Sequence, residues 1–141
     1  SDAHLFFYHS TPKIARFQIR PFSENIAIAF VADQRYYDTI YQERYMGLPS
    51  TNPEGFEDGS PITRAHRLEG DLLLVYGTGD DNCHYQNCEA LVNELVRHGK
   101  SFDMQIYPNR THGISEGAGT RRHRYTTMTN YVLEHLPAGA R

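Results

Sequence analysis

The chain lacks tryptophan and has only two cysteines, Cys83 and Cys88, in 141 residues. Two thiols cannot supply the disulfide framework that holds small secreted domains together. Long hydrophobic runs are missing too. The longest strictly apolar stretch, Ile26–Ala32, has seven residues, against the ~20 that a spanning helix needs. The segment His4–Tyr8 is too short for a secretory leader and has no basic flank. Fourteen Lys and Arg against seventeen Asp and Glu give a net charge of −3, and no basic block marks a nucleic-acid footprint. Neither a membrane nor a nucleic acid is an expected partner, and the compartment stays unassigned. What the chain does have is 39% hydrophobic residues with ten Tyr and seven Phe, enough for the core of one domain and too apolar for a disordered chain.

Glycine and proline divide the sequence into four parts. In residues 1–30, Phe17 and Ile19 alternate within Arg16–Arg20, predicting a short strand ended by Pro21. The run Ile26–Ala32 reads as a strand buried on both faces. Tyr37, Ile40, Tyr41 and Tyr45 then recur at helical spacing until Gly47 and Pro49 stop them. Pro49–Pro61 is rich in Pro, Gly, Ser and Asn and reads as a loop, and Ile62–Leu68 as a short helix or turn. The clearest signal follows. Leu72–Tyr76 is a buried strand, Tyr85–His98 an amphipathic helix with Cys88, Leu91, Val92, Leu95 and Val96 on one stripe, and Phe102, Met104 and Ile106 alternate as a second strand. This is a β-α-β unit with parallel strands. A loop, Asn109–Gly119, leads to a last helix from about Thr120 to Leu136 with Tyr125, Met128, Val132 and Leu136 on its stripe.

In open α/β sheets functional groups collect at the carboxyl ends of strands. Two loops qualify, one with Asp80-Asp81-Asn82 and one with His112-Gly113. One crossover joins their strands, so the loops should be neighbours. A carboxylate beside an imidazole is the arrangement of a general base, the carboxylate fixing the tautomer and stabilising the imidazolium. Spacing alone leaves a second reading open, in which Asp80 caps the following helix and His112-Gly113 is a turn. Cys83, His84 and Cys88 lack a fourth metal ligand, and Cys88 lies on the core stripe, so no metal is expected. Asn109-Arg110-Thr111 is a glycosylation sequon, and Gly77-x-Gly79 is too short for a dinucleotide fingerprint.

The pattern from Leu68 to Asn87, with Leu72-Leu-Leu-Val-Tyr-Gly-Thr-Gly-Asp-Asp-Asn-Cys-His-Tyr at its centre, is followed by Tyr107 and Thr111-His112-Gly113-Ile114. It resembles the end of the catalytic domain in the prolyl oligopeptidase family of serine peptidases, best in the dipeptidyl peptidase IV branch. Tyr36-Tyr37-Asp38-Thr39-Ile40-Tyr41-Gln42-Glu43-Arg44-Tyr45-Met46-Gly47-Leu48-Pro49 is similar to that branch's Tyr-Asp-x-x-Tyr-x-Glu-Arg-Tyr-Met-Gly segment. The resemblance covers roughly residues 26–136 and leaves residues 1–25 unassigned. It implies an α/β fold, a partial α/β-hydrolase domain over residues 26–141 with a parallel sheet and flanking helices. It makes Asp80 the triad acid and His112 the base. Asn82 then holds a substrate carbonyl, Tyr37 and Tyr41 wall a proline-ring pocket, and Val31 and Cys83 complete its apolar lining. The implied activity is hydrolysis after Pro or Ala to release dipeptides, on a peptide substrate and with no cofactor. Gln34 departs from the branch, which often has Trp there.

The third member of such a triad is a serine on a Gly-x-Ser-x-Gly elbow. None of the seven serines, Ser1, Ser10, Ser23, Ser50, Ser60, Ser101 and Ser115, has that context. The strand Ile26–Ala32 runs directly into the Tyr36–Pro49 segment, so the elbow, its helix and the preceding strands have no counterpart. The chain is therefore expected to be a fragment or internally deleted form, inactive alone, or else a non-catalytic binding or assembly module on a hydrolase scaffold. Missing strands would leave an apolar sheet edge near Ile26–Ala32, so a homo-oligomer through that edge is expected.

Overall fold

β3 (Leu72–Gly77) is buried at every position, as a strand covered on both faces must be. The computed structural model describes residues 4–6 and 25–135. The predicted strand at Arg16–Arg20, Leu136 and the C-terminal tail lie outside them. β3 belongs to an all-parallel sheet with strand order β1-β2-β3-β4, where β1 is His4–Phe6, β2 is Asn25–Ile28 and β4 is Asp103–Tyr107. Its alternating side chains feed two cores. Leu72, Leu74 and Tyr76 pack with Cys88, Leu91 and Leu95, while Leu73 and Val75 pack with Ile26, Tyr107, Ile114, Met128 and Tyr131. The first group comes from helix α3 (Gln86–Arg97) and the second largely from the other face, where helix α4 (Thr120–His135) lies.

The β3-α3-β4 unit matches its expected bounds within a residue or two at most ends. Cys88, Leu91 and Leu95 are buried, but Val96 is 64% exposed because it falls at the margin of the stripe. Gly99, at φ +62, ends the helix while the Lys100 N–H donates to Leu95 O at 2.9 Å. On α4 the stripe is rotated from the expected one. Tyr125 is exposed, and Met128 with Tyr131 enters the core.

Three expectations are corrected. First, Ile26–Ala32 is not one strand. β2 stops at Ile28, and Ala29 takes φ +44 with its N–H on Val75 O at 3.0 Å. Phe30 and Ala32 stay buried, as a loop, because side chains satisfy their backbone. The Tyr76 hydroxyl donates to Phe30 O at 2.8 Å, Asn87 Oδ1 accepts from Ala32 N at 3.0 Å, and the Ser60 hydroxyl donates to Ala32 O at 3.3 Å. Burial alone therefore produced the apolar run. The expected open edge is also displaced: β1 pairs with β2, leaving β1 and β4 as the edge strands of the described sheet.

Second, the tyrosine-bearing helix α1 spans Thr39–Met46, after a 3-10 turn at Gln34–Tyr36. Tyr37 precedes it, Ile40 is 75% exposed, and the residue α1 buries is Gln42. Third, Pro49–Pro61 contains a helix, α2 (Pro53–Asp58). Asn52 caps it by accepting from Gly55 N at 3.2 Å, Pro53 sits in the first turn where no N–H is needed, and Phe56 drives it into the core. The turn-rich composition concealed a start signal followed by one apolar anchor. The segment Ile62–Leu68 forms turns and a 3-10 turn at Ala65–Arg67, in line with its reading.

Candidate active site

Parallel pairing of β3 with β4 brings the loops after both strands to the same end of the sheet. They are in contact. The Thr78 N–H donates to Tyr107 O at 3.1 Å, Gly79 N–H to Arg110 O at 3.1 Å, and Asn109 N–H to Thr78 Oγ1 at 2.9 Å. Gly77 makes this approach possible. A Cβ there would lie 2.2 Å from the Arg110 carbonyl oxygen, so any larger residue must push the His112 loop away.

The clamped loops set Asp80 Oδ2 3.0 Å from His112 Nδ1, within the reach of a hydrogen bond. The Asp80 side chain is fully buried, at 0% exposure, while the His112 side chain is 43% exposed. The other oxygen, Oδ1, accepts from Asn82 N at 3.0 Å and Cys83 N at 2.9 Å. Asp80 thus caps the turn leading into α3 with one oxygen and faces the imidazole with the other. The helix itself begins at Gln86 without a side-chain cap, so Asp80 holds the preceding turn and not the helix end. As a carboxylate Asp80 only accepts, so Nδ1 carries the proton and Nε2 of the neutral ring is the basic nitrogen. Among the described residues Nε2 has no hydrogen-bond partner. Asp81 is exposed and stays outside the pair.

The aromatic residues adjoin this centre. The Tyr37 hydroxyl donates to Asn82 Oδ1 at 2.8 Å, and the Tyr37 and Tyr41 rings meet edge to face with centroids 5.7 Å apart. Tyr41 continues onto Tyr45 at 5.2 Å. Tyr37 and Val31 pack against the core that includes Cys83. Burial is the first cause that raises the Tyr37 hydroxyl's pKa, followed by the neighbouring Cys83, Tyr41, Asp38 and Asp80. The Cys83 thiol is pushed up to about 12, by burial first and then by the Asp80 charge. A thiol so raised stays protonated near neutral pH and packs as an apolar core group. Asp80, His112, Asn82, Cys83, Tyr37 and Tyr41 are thus joined by hydrogen bonds and ring contacts, and Val31 packs on the core that holds Cys83. Cys83 and Cys88 are free and buried, and among the described residues no three His, Cys, Asp or Glu side chains are arranged to hold a metal ion.

Sequence reasoning missed the residues that hold the site together. Asn87, fully buried, ties the Phe30–Ala32 loop to α3 and donates to His84 O at 3.2 Å. Arg110 donates to Pro108 O at 2.8 Å and reaches Thr120 Oγ1 at 3.3 Å, joining the His112 loop to the start of α4. Ile114 is fully buried at φ +43, a conformation costly for a β-branched residue, about 1–3 kcal/mol. Its anchoring in the core keeps the loop in place. The Gly77-x-Gly79 pair was the one visible signal, a marker of close backbone approach and not of nucleotide binding.

The model of the prolyl oligopeptidase family matches residues 10–139. The chain is 38% identical over 117 residues to a probable dipeptidyl-aminopeptidase B of Colletotrichum graminicola, covering 81% of this chain and 12% of that protein. It is 39% identical over 116 residues to prolyl endopeptidase FAP of Mus musculus, covering 80% and 15%. The crystal structure of Porphyromonas gingivalis dipeptidyl peptidase 4 superposes with a TM-score of 0.78 at 40% identity, over 81% of this chain and 16% of that one. The chain thus spans 12% and 15% of the length of these two curated relatives. By fold and by sequence, the chain belongs to the prolyl oligopeptidase family.

Proposed function

We propose that this chain is a piece of a dipeptidyl peptidase-type catalytic domain, residues 26–141 forming the C-terminal part of an α/β-hydrolase unit. It supplies the acid and base of a serine peptidase triad, Asp80 and His112. The observation that carries the reading is the 3.0 Å contact between a fully buried carboxylate and a solvent-accessible imidazole. In the complete reaction His112 Nε2 takes the proton of an attacking serine and returns it to the leaving amine, while Asp80 holds the ring and stabilises the imidazolium. Asn82 holds a substrate carbonyl. Tyr37 and Tyr41 flank a pyrrolidine ring, with Val31 and Cys83 behind it, a flat ring packing well between aromatic faces. The substrate is a peptide cleaved after Pro or Ala, and no cofactor takes part.

The pocket can be tested without turnover. Gly-Pro titrated into the isotope-labelled chain at millimolar concentration should shift the Tyr37 and Tyr41 ring signals and the Asn82 and Cys83 amides, whereas Gly-Gly should not. Equal responses to both dipeptides, or none, would sink the pocket assignment. A second reading, a non-catalytic binding or assembly module on the same scaffold, is favoured by the absence of Gly-x-Ser-x-Gly around all seven serines. β1 and β4, the edge strands among the described residues, suit self-association for either reading. Light scattering that gave a monomer across the accessible concentration range would dismiss that part.

A further inference from the structure

We propose that Arg124 is the positioning residue of the His112 loop, holding the peptide between Gly113 and Ile114 in the one orientation that keeps the imidazole on Asp80. The proposal rests on the reading of Asp80 and His112 as an acid–base pair. Arg124 lies in the second turn of α4. Its Nη1 donates to the Gly113 carbonyl at 2.5 Å, and its guanidinium lies over the Tyr125 ring at 4.8 Å. The preceding residue grips the same region, His123 Nδ1 meeting the Tyr107 hydroxyl at 2.9 Å. Successive residues of α4 therefore hold the end of β4 and the turn after His112.

That turn needs holding. The Ile114 N–H donates to Thr111 O at 3.0 Å, closing a turn with His112 and Gly113 at its centre. Ile114 leaves it at φ +43, a strained value for a β-branched side chain. Rotation of the Gly113–Ile114 peptide would relieve that strain, and Gly113 permits the rotation because it has no Cβ to oppose it. The rotated peptide points its oxygen elsewhere and releases the constraint on the residue before it, His112. A charge-assisted hydrogen bond from Arg124 to that oxygen opposes the rotation. Ile114 in the core and Arg124 on the carbonyl thus act on the two sides of one peptide group.

The test is proton NMR of the His112 Nδ1–H, which a carboxylate partner shifts to low field, recorded in the 141-residue chain. Asp80→Asn should remove this resonance. Arg124→Leu should broaden it or speed its exchange about tenfold or more, with the far-ultraviolet spectrum unchanged. Arg124→Lys, which keeps one donor, should restore most of it, and Arg122→Leu, on an exposed neighbour, should leave it as in the parent. A resonance unaltered in Arg124→Leu while lost in Asp80→Asn would overturn the role of Arg124 and spare the pair. A resonance that survives Asp80→Asn would instead remove the acid–base reading itself. If Arg124→Leu does not fold, Arg124→Gln gives the same decision, since glutamine keeps a donor but no charge and should fall clearly short of the lysine behaviour; parent behaviour there would count against the charge-assisted bond.

Discussion

The hydroxyl of Tyr37 donates to Asn82 Oδ1 at 2.8 Å, so the Tyr37–Tyr41 ring pair and the loop carrying Asp80 are joined by one side-chain bond across forty-five positions of sequence. The bond is solvent-exposed, which places its removal at the lower end of ordinary hydrogen-bond values. Tyr37→Phe should cost about 0.5–1 kcal/mol in a denaturant titration. The Asn82 amide signal should move while the His112 Nδ1–H stays. A loss of several kcal/mol would mean that Tyr37 is a core residue first and a pocket wall second.

Gly77→Ala tests the seam between the two loops. The added Cβ meets backbone at 2.2 Å, not the yielding end of a side chain. Overpacking against backbone should destabilise by about 3 kcal/mol. It should also pull His112 from Asp80, so the Nδ1–H resonance is lost before the fold is. Thr78→Ala, which removes only an acceptor for Asn109 N, should keep the resonance at a cost of about 1 kcal/mol. Equal stability of the parent and Gly77→Ala would show that the loops can separate without penalty.

These contacts separate what could be read in the sequence from what could not. The β3-α3-β4 unit was legible because a short continuous apolar run gives way to a 3.6 period and then to alternation, and a single crossover then forces the Asp80 and His112 loops together. Gly77 and Asn87 were not, because their roles depend on where Arg110 O and Ala32 N fall, across distances no local pattern records. Phe30 to Ala32 read as strand because an apolar run reports burial and not backbone geometry. The correct end of β2 depends on Tyr76, Asn87 and Ser60 satisfying that buried loop. In α2 the reverse holds: with Phe56 as its one buried residue, the helix shows no apolar period within a turn-forming stretch, and its Asn52 cap emerges only in the structure.

Stability should decline on the alkaline side. Burial, helped by Asp80 for one thiol and Glu89 for the other, pushes Cys83 and Cys88 up to about 12. The Tyr76 hydroxyl is also raised, chiefly by burial. In the unfolded chain the thiols ionise near 9.0. Between 9 and about 12 the unfolded state therefore binds fewer protons than the folded state, and stability falls as pH rises. The contribution is complete below 9 and lost through about 12. A thermal midpoint measured against pH should hold level up to 9 and then drop steadily. A flat profile above 9, or rapid labelling of the native thiols at about pH 8, would contradict the burial of both side chains.

The last expectation concerns turnover. The isolated chain should not hydrolyse a Gly-Pro anilide, and a fluorophosphonate should not label it. A triad acts as a unit: His112 held by Asp80 has no hydroxyl to deprotonate unless a serine stands at Nε2, so no acyl-enzyme forms. Among the described serines, Ser60 is buried and its hydroxyl donates to Ala32 O, which leaves it unactivated. Without an elbow there is also no paired backbone donor for the oxyanion, a loss worth about 10²–10³ in rate by itself. Any residual hydrolysis must come from His112 acting on water. That background should persist after fluorophosphonate treatment and disappear in His112→Ala. Stoichiometric labelling would reverse the conclusion, and mapping the adduct to Ser23, Ser50 or Ser60 would identify a displaced nucleophile. Adding a separately produced segment that carries Gly-x-Ser-x-Gly should restore labelling only when Asp80 and His112 are both intact, because the serine becomes reactive through the base and not through its own position.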